Sequence, residues 1–324
     1  MNDTTEARNG SVTAAVVPGL QIEPLWGYVA PIFAVFYPFF LPLSLAMVVF
    51  VVTETSLREK PRFVLLASQL VADVVFLGAS TVQGLVVSAA GGLPLILCAF
   101  NFLLVASSLQ AGRLNLGVMA LDRYLAIRWP LRYPSFTSPS RVLATVLAIW
   151  GSSTSVFVFI YVAVLHAKRH MLLDPVSSCA AIDEDSATFA ARKAFVVLCM
   201  VLGVSAIVFS YINIVLTTPG DDGAGPRLNQ AARRTVLLHA LQMALYLIPA
   251  LAHQLLEVLV QRQVLSLFHV QALGTVCVVG LTLAQCVIPV FYGLRSETMR
   301  RLLRRRLGRI FPTVQQPPGP AFSQ

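Results

Sequence analysis

The sequence predicts an all-α membrane protein: a seven-transmembrane helix bundle followed by a short amphipathic eighth helix. Of the 324 residues, 56% are hydrophobic and only 12% are charged, whereas soluble domains are roughly 25% charged. The mean hydropathy is +0.75, and apolar runs long enough to cross a bilayer recur along the chain. These figures leave no room for a large soluble domain, and they exclude a disordered chain and a secreted disulfide scaffold.

Each apolar run is bounded by polar residues or by segments that contain proline or glycine. A helix that crosses a bilayer needs about 20 apolar residues, so each run is predicted to be one span and residues 26–294 to be the seven-transmembrane domain. The runs lie at about Trp26–Val52, Phe63–Ser88, Leu95–Ile127, Val142–Leu165, Ala194–Leu216, Thr235–Val260 and Val270–Leu294.

The segments that flank the spans differ in character. Residues 1–25 are polar and form a predicted extracellular tail, with no basic segment that would mark a cleavable signal peptide. Residues 295–310 alternate arginine clusters with apolar residues at helical spacing, which predicts an amphipathic helix bound to the anionic lipids of the inner leaflet. Residues 311–324 are proline-rich and predicted to be a disordered cytoplasmic tail.

Positive charge is unequally distributed between the two predicted sides of the membrane. With the N-terminus outside, 16 of the 24 basic residues fall on the inner side, six on the outer side, and two within span three. The positive-inside rule therefore predicts a multi-pass plasma-membrane protein with an extracellular N-terminus and a cytoplasmic C-terminus. Asn2 and Asn9 begin glycosylation sequons that can be used only in that orientation. The net charge of +9 is then explained by the membrane, and no nucleic-acid partner is expected.

The charged residues to be explained within the predicted spans are Asp73 in span two, and Arg113, Asp122 and Arg123 in span three. Charges at membrane depth are costly and usually functional. Asp122-Arg123-Tyr124 stands at the inner end of span three, where an acid can hold the neighbouring arginine in a closed state and release it to a partner.

With these residues, the chain resembles the rhodopsin-like (class A) G-protein-coupled receptors throughout its membrane region. The span-three signature D-R-Y-x-x-I-x-x-P-L of that family is matched in full from Asp122 to Leu131. Other family positions are matched by Asp73 in span two, Trp150 in span four, Pro249 in span six, and Pro289 and Tyr292 of the span-seven P-x-x-Y motif.

Departures from the family pattern indicate a divergent branch. They are Gln69 for leucine, Ile288 for asparagine, Leu247 for tryptophan, Gly203 for the span-five proline, and Ser44 or Leu45 for the span-one asparagine. Because Asp73 keeps few of its customary partners, whether the family's sodium site survives is left open. Residues 60–67 and 232–239 are similar to segments of fish odorant-receptor-like proteins.

The resemblance implies a receptor that senses an extracellular ligand and activates a heterotrimeric G protein, with no chemistry on the ligand and no cofactor or metal. Span six, kinked at Pro249, would swing away from span three, so that Arg123 leaves Asp122 and meets the G protein. The residues implied in coupling and activation are Asp122, Arg123, Tyr124, Leu131, Tyr211, Pro249, Pro289 and Tyr292.

The same resemblance implies an outer ligand pocket. By family position it is lined by Gln83, Val105, Ala106, Leu109, Phe195, Leu251, Gln254, Val278 and Thr282. Such a mostly apolar lining is typical of sites for small molecules, and an odorant-like ligand fits it. Val105 stands where aminergic receptors carry an aspartate, so a cationic amine is not expected. The resemblance also implies a disulfide between Cys98 and Cys179 of the second external loop.

Arg113 is not part of the family pattern. It follows Cys98 by 15 residues, which places it about 22 Å along the helix, near mid-membrane. One hypothesis is a structural ion pair or water-mediated bridge with Asp73, which is favoured because intramembrane charges most often pair with one another. The other is that Arg113, below Leu109 and Ala106 on one helix face, forms the pocket floor and attracts an anionic ligand group.

Three other kinds of seven-helix protein agree less well with the sequence. A retinal photoreceptor needs a lysine in its last span, and all three lysines lie elsewhere. An intramembrane hydrolase could use Ser205 with His239 or His253, but no oxyanion donor is evident. A transporter would show an internal repeat with broken helices, and none is visible. His253 and Glu257, one turn apart, are more often a solvated cap than a metal site. Whether the receptor forms a homodimer or a heterodimer is left open.

Overall fold

The computed structural model of the chain describes residues 23–176, 186–217, 226–261 and 267–295, with side chains over 31–174, 190–214 and most of 240–289. Within these ranges the chain is almost entirely helical. The elements are α1 (Glu23–Thr53), α2 (Thr55–Arg58), α3 (Pro61–Ala90), β1 (Leu93–Pro94), α4 (Leu95–Arg128), α5 (Tyr133–Phe136), α6 (Pro139–Ala167), β2 (Pro175–Val176), α7 (Ser186–Thr217), α8 (Pro226–Gln261) and α9 (Leu267–Arg295).

Seven of the helices in the described ranges are 29 to 36 residues long. Even the shortest is about 44 Å long at 1.5 Å per residue, and so exceeds the roughly 30 Å hydrocarbon core. Five of them are apolar enough over their described residues to cross a membrane, and α8 and α9 contain the shorter apolar stretches Met243–Leu256 and Ala272–Val287. Each long helix contains one predicted apolar run, which confirms the all-α membrane bundle.

Helix α4 lies at the centre of the bundle, with its most extensive contacts to α3, α7 and α6, whereas α1 packs on α3 and α9, and α8 packs on α9. The main core includes the fully buried Leu70, Leu116, Met243 and Tyr246. A smaller core surrounds Cys98 and Phe157. We name the two ends of the bundle the Cys98 end and the Asp122 end, after the residues of α4 that lie there.

Large apolar side chains also cover the outside of the bundle. Phe39 and Phe159 expose 77% and 75% of their surfaces. Soluble proteins rarely expose contiguous apolar surface on this scale. On α8 the exposed residues recur every three or four positions and form an outward stripe of Leu241, Leu245, Ile248, Leu251, Leu255 and Val258. These faces fit a lipid environment.

At the Cys98 end, the chain before β2 is tied to the start of α4. Strands β1 and β2 pair antiparallel, with Leu93 opposite Val176. The backbone N–H groups of Leu95 and Ile96 donate to the carbonyls of Asp174 and Leu172 at 3.1 Å each. The first N–H groups of any helix lack acceptors within it, and here the loop supplies carbonyl acceptors for two of them.

Helices α4 and α7 approach closely at two glycines. A Cβ atom added to Gly117 would lie 3.3 Å from the Cα atom of Gly203. Small residues of this kind allow membrane helices to pack backbone against backbone. The sequence analysis treated Gly203 only as a missing proline, whereas the structure gives it a packing role.

We expect Gly117→Ala to lower the stability of the purified protein by about 1–3 kcal/mol, because the new methyl group meets backbone that cannot rotate away. Gly151→Ala is the matched control on α6, since nothing lies within 4 Å of its added Cβ. The control is expected to be neutral or to gain up to about 1 kcal/mol of helix propensity. Thermal unfolding in detergent measures both, and equal effects of the two substitutions would contradict the packing account.

Candidate functional site

The carboxylate of Asp122 is held inside the Asp122 end of the bundle. Asp122 is buried, and the hydroxyl of Tyr133 donates to its Oδ1 at 2.8 Å. Tyr133 begins α5, directly after the turn that ends α4. Arg123 and Arg62 are the electrostatic neighbours of the same carboxylate. One acid is thus bound by a phenol and faces two cations.

Tyr133 remains a hydrogen-bond donor at neutral pH. Burial, followed by the nearby negative charge of Asp122, raises the pKa of the Tyr133 hydroxyl above its ordinary value. The proton therefore stays on the phenol and in the bond to Asp122.

The other predicted coupling residues are spread around this end. The ring of Tyr124 packs edge-on against Trp129 and Phe209, with centroids 5.6 and 5.4 Å apart. Leu131 is 96% exposed, whereas Tyr211 is half-buried against the main core.

The two prolines of the coupling set lie in α8 and α9. In α8, Pro249 faces Gly280, whose added Cβ would lie 3.2 Å from the proline Cγ. Pro289 is buried in α9. The side chain of Tyr292 lies outside the described residues.

Most of the predicted pocket residues lie on inward surfaces toward the Cys98 end. Val105, Leu109 and Val278 pack against the main core, and the buried Thr282 donates its hydroxyl to the Val278 carbonyl at 2.8 Å. Ala106 packs against the smaller core. Residues of α4 and α9 thus line the main core, and Ala106 of α4 lines the smaller one.

The polar and aromatic members of the predicted pocket are already engaged. Gln83 accepts a hydrogen bond from the Asn101 amide at 2.5 Å, and the ring of Phe195 packs edge-on against Phe157 at 6.0 Å. Gln254 is half-buried.

The prediction for Leu251 is wrong. Its side chain is 43% exposed and belongs to the outward stripe of α8. Each residue turns a helix by about 100°, and the face that includes Tyr246 and Ala250 is the buried one. Leu251 is therefore turned toward lipid, and His253 is the half-buried neighbour on the inner side.

Asp73 belongs to a chain of buried amides that the sequence analysis missed. Gln69 donates to Asp73 Oδ1 at 3.1 Å, and Asn115 donates to the Gln69 side-chain oxygen at 3.2 Å and to the Leu65 carbonyl at 2.8 Å. The amide of Gln285 lies beside the same carboxylate without full hydrogen-bond geometry. Uncharged amides within apolar spans are the sequence feature that indicates such a chain, whereas the predicted intramembrane polar set contained only ionisable residues.

Arg113 makes no direct ion pair with Asp73, so that form of the favoured hypothesis is wrong, and the water-mediated bridge stays a prediction. Its Nη1 donates to the side-chain oxygen of Gln110 at 3.3 Å, and its electrostatic neighbours are Tyr246 and Cys199. Within the described part of the chain, no hydrogen bond or ion pair joins the two charges. The reason is helical geometry: Gly112 faces Gln69 and Tyr246, and the next residue lies about 100° further round α4, on the side of α7.

The cysteines separate into two groups. Cys98 is completely buried and disulfide-bonded, whereas Cys199, Cys277 and Cys286 are free. The predicted partner, Cys179, lies outside the described residues, so the pairing stays a prediction. The glycosylation sites Asn2 and Asn9, nearly all of the predicted eighth helix and the C-terminal tail also lie outside them.

The residues considered for catalysis or metal binding do not assemble. Ser205 is exposed on α7, whereas His253 is half-buried on the inner face of α8. Among the described side chains, no three histidine, cysteine or acidic groups come together to hold a metal ion. The side chain of Glu257 is outside that set.

Comparison with known proteins gives one consistent result. The family model described as "7 transmembrane receptor (rhodopsin family)" matches residues 44–292. Olfactory receptor 11A1 of Homo sapiens is 31% identical over 152 residues, which cover 44% of this chain and 46% of that protein. Odorant receptor 131-2 of Danio rerio is 23% identical over 197 residues, covering 59% of this chain and 58% of that protein. The chain thus spans about half the length of these relatives.

We expect the stability effects of Asp73→Asn and Arg113→Met to depart from additivity by no more than about 1 kcal/mol, because the two side chains share no direct bond and are linked only through their common neighbour Tyr246. Gln69→Leu and Asn115→Leu are the matched pair that does share one, and their coupling is expected to exceed that limit. Thermal unfolding of the single and double variants in detergent measures both cycles. A strong coupling between Asp73 and Arg113 would restore the pairing hypothesis.

Proposed function

Because the chain belongs to the rhodopsin family of seven-transmembrane receptors, we propose that it binds a small odorant-like molecule outside the cell and activates a heterotrimeric G protein inside it. Members of this family are signalling receptors and not enzymes, which removes the hydrolase alternative. The matched region covers 44–292, and so includes every long helix at least in part.

The arrangement around Asp122 is the observation that carries the coupling proposal. The buried carboxylate of Asp122 accepts a hydrogen bond from Tyr133 and neighbours Arg123 at the Asp122 end of the bundle. An arginine held in this way is available to a partner only when its acid releases it. A conformational change that separates the two charges would therefore act as the switch.

The proposed mechanism is a movement of α8 relative to α4. The ligand would bind better to a state in which α8, which contains Pro249, moves away from α4 at the Asp122 end. Arg123 would then leave Asp122 and contact the G protein, with Tyr211 and Tyr292 stabilising the open state. A ligand shifts this equilibrium only by its difference in affinity for the two states.

The distribution of basic residues supports an extracellular Cys98 end, since most of them fall on the opposite side. The predicted helix at 295–310 would then lie on the inner leaflet. The names of the matched relatives, olfactory and odorant receptors, support a small volatile or water-soluble ligand. A reporter-cell screen against odorants, amino acids, lipids and peptides, read through several G proteins, tests the proposal.

We expect Arg123→Ala to abolish ligand-dependent signalling while surface expression is maintained, because the charge that meets the G protein is lost. Arg128→Ala is the control on the same helix, where the side chain is exposed and lies over the ring of Trp129. Reporter output at matched surface level is the measurement. Normal signalling by the Arg123 variant would refute the proposed mechanism.

We expect Leu131→Ser to weaken G-protein activation several-fold without a change in stability beyond about 0.5 kcal/mol, since an exposed side chain loses no packing. The 81% exposed Leu173 lies toward the Cys98 end and gives the control Leu173→Ser. Nucleotide exchange on purified G protein and thermal unfolding measure the two effects. Equal losses of activation in both variants would remove the docking role of Leu131.

The Cys98–Cys179 disulfide is expected to appear in peptide maps made under non-reducing conditions. Cys98 stands at the start of α4, beside the loop segment that pairs with it, and a bond from there would fasten that loop over the pocket. Recovery of Cys179 as a free thiol would contradict the pairing.

A further inference from the structure

Buried hydrogen-bond donors without acceptors lie together in the centre of the bundle. The Nε atom of Arg113 is buried and has no hydrogen-bond partner, and the buried Nε2 atom of Gln110 lies beside the Cys199 thiol without full hydrogen-bond geometry. The hydroxyl of Tyr246, which also has no partner, is an electrostatic neighbour of both Asp73 and the guanidinium. An unpaired buried polar group is costly, and a charged one more so. Arg113 and Gln110 thus lack acceptors, although one oxygen of Asp73, beyond their hydrogen-bond reach, is unpaired as well.

The guanidinium also lacks a counter-charge. Its neighbours among the described side chains are Tyr246, Cys199 and His253, and none of them is a carboxylate. Asp73 is bonded to Gln69 instead. An arginine near the bilayer centre is costly even on insertion scales. An anion at this place would supply both the missing acceptors and the missing charge.

The guanidinium is directed toward the Cys98 end. Helical side chains lean toward the N-terminus of their helix, and the bond from Arg113 to Gln110 runs in that direction along α4. On α8, His253 lies about two turns beyond Tyr246 toward the same end, and it too neighbours the guanidinium. Leu109 and Ala106 follow one and two turns above Arg113 on the same face of α4.

We infer that Arg113 and Gln110 form the floor of the ligand pocket and bind the carboxylate of a small, mostly apolar agonist. This inference rests on the proposed function. A planar guanidinium matches a carboxylate with two parallel hydrogen bonds. One guanidinium neutralises one negative charge, so a monoanion fits the low-dielectric interior and a phosphate dianion does not. The apolar part of the ligand would contact Leu109 and Ala106.

The first test uses the full-length receptor in reporter cells. The probes are butanoate, hexanoate, octanoate and benzoate, each paired with its methyl ester. An acid is expected to activate the receptor where its ester does not. Arg113→Met is expected to raise the half-maximal concentration of that acid about 10- to 100-fold, the loss of a charge-assisted hydrogen bond. The control Arg141→Met removes an exposed arginine of α6 that bonds the Ser135 carbonyl, and it should leave potency unchanged.

The second test measures binding without a G protein. Thermal unfolding of the purified full chain should show that the active acid raises the melting temperature of the wild type and not of Arg113→Met. Without ligand, the variant is expected to be at least as stable as the wild type, because an uncompensated buried charge has been removed. If Arg113→Met does not reach the membrane, Gln110→Leu is expected to lose the same acid-dependent shift.

The outcomes separate the inference from the proposed function. Acids that shift the melting temperature without any signal support the inference and overturn the proposed function. Equal responses to acids and esters, no shift with any acid, or the same shift with sodium chloride alone overturn the inference. The chain's own alternative is Glu257, one turn beyond His253. If Glu257→Gln destabilises the unliganded wild type but not Arg113→Met, that carboxylate is the counter-charge and the inference is overturned.

Discussion

The absence of water from a bilayer interior is the constraint on which the rest of this structure depends. Inside the hydrocarbon region, backbone groups are satisfied only within the protein, which is why the described chain is nearly all helix. Side chains obey the same rule less completely. Asn115 on α4 donates to Gln69 on α3, and Gln69 donates to Asp73 on the same helix, so the acid is held by neutral amides. The same amide chain joins two long helices at mid-depth, where apolar packing alone gives little orientation.

The fold could be read from the sequence because its signal is long and repeated. Each span shows an apolar run of more than 20 residues, and the helices contain all seven runs. The helix ends were harder to predict from the sequence, because polar residues continue a helix past the hydrocarbon boundary without changing its hydrogen bonds. Thus α8 begins at Pro226, well before its apolar run at Thr235.

The site was predicted in part, and the errors have a common cause. Family position gives the helix and the height of a residue, whereas its direction depends on the rotation of that helix about its axis. One step of about 100° separates the buried Ala250 from the exposed Leu251. The same step carries Arg113 away from the side of Gly112 that faces Gln69. Charge suggested that Arg113 and Asp73 pair, and only the packing of α4 on α7 shows that they share the neighbour Tyr246 without a direct bond.

The close approach of α4 and α7 at Gly117 and Gly203 has a mechanical consequence. These two helices, with α3 and α6 packed on α4, form a block whose parts cannot slide without separating backbone from backbone. Among the described residues, the extensive contacts of α8 are with α9, whereas its contacts with α4, such as Tyr246 against Gly112, are fewer. Rotating α8 and α9 as a pair would therefore preserve more packing than moving α7 off α4. The group around α4 would then stay in place while α8 and α9 move, because the contact between the two glycines holds α7 against α4.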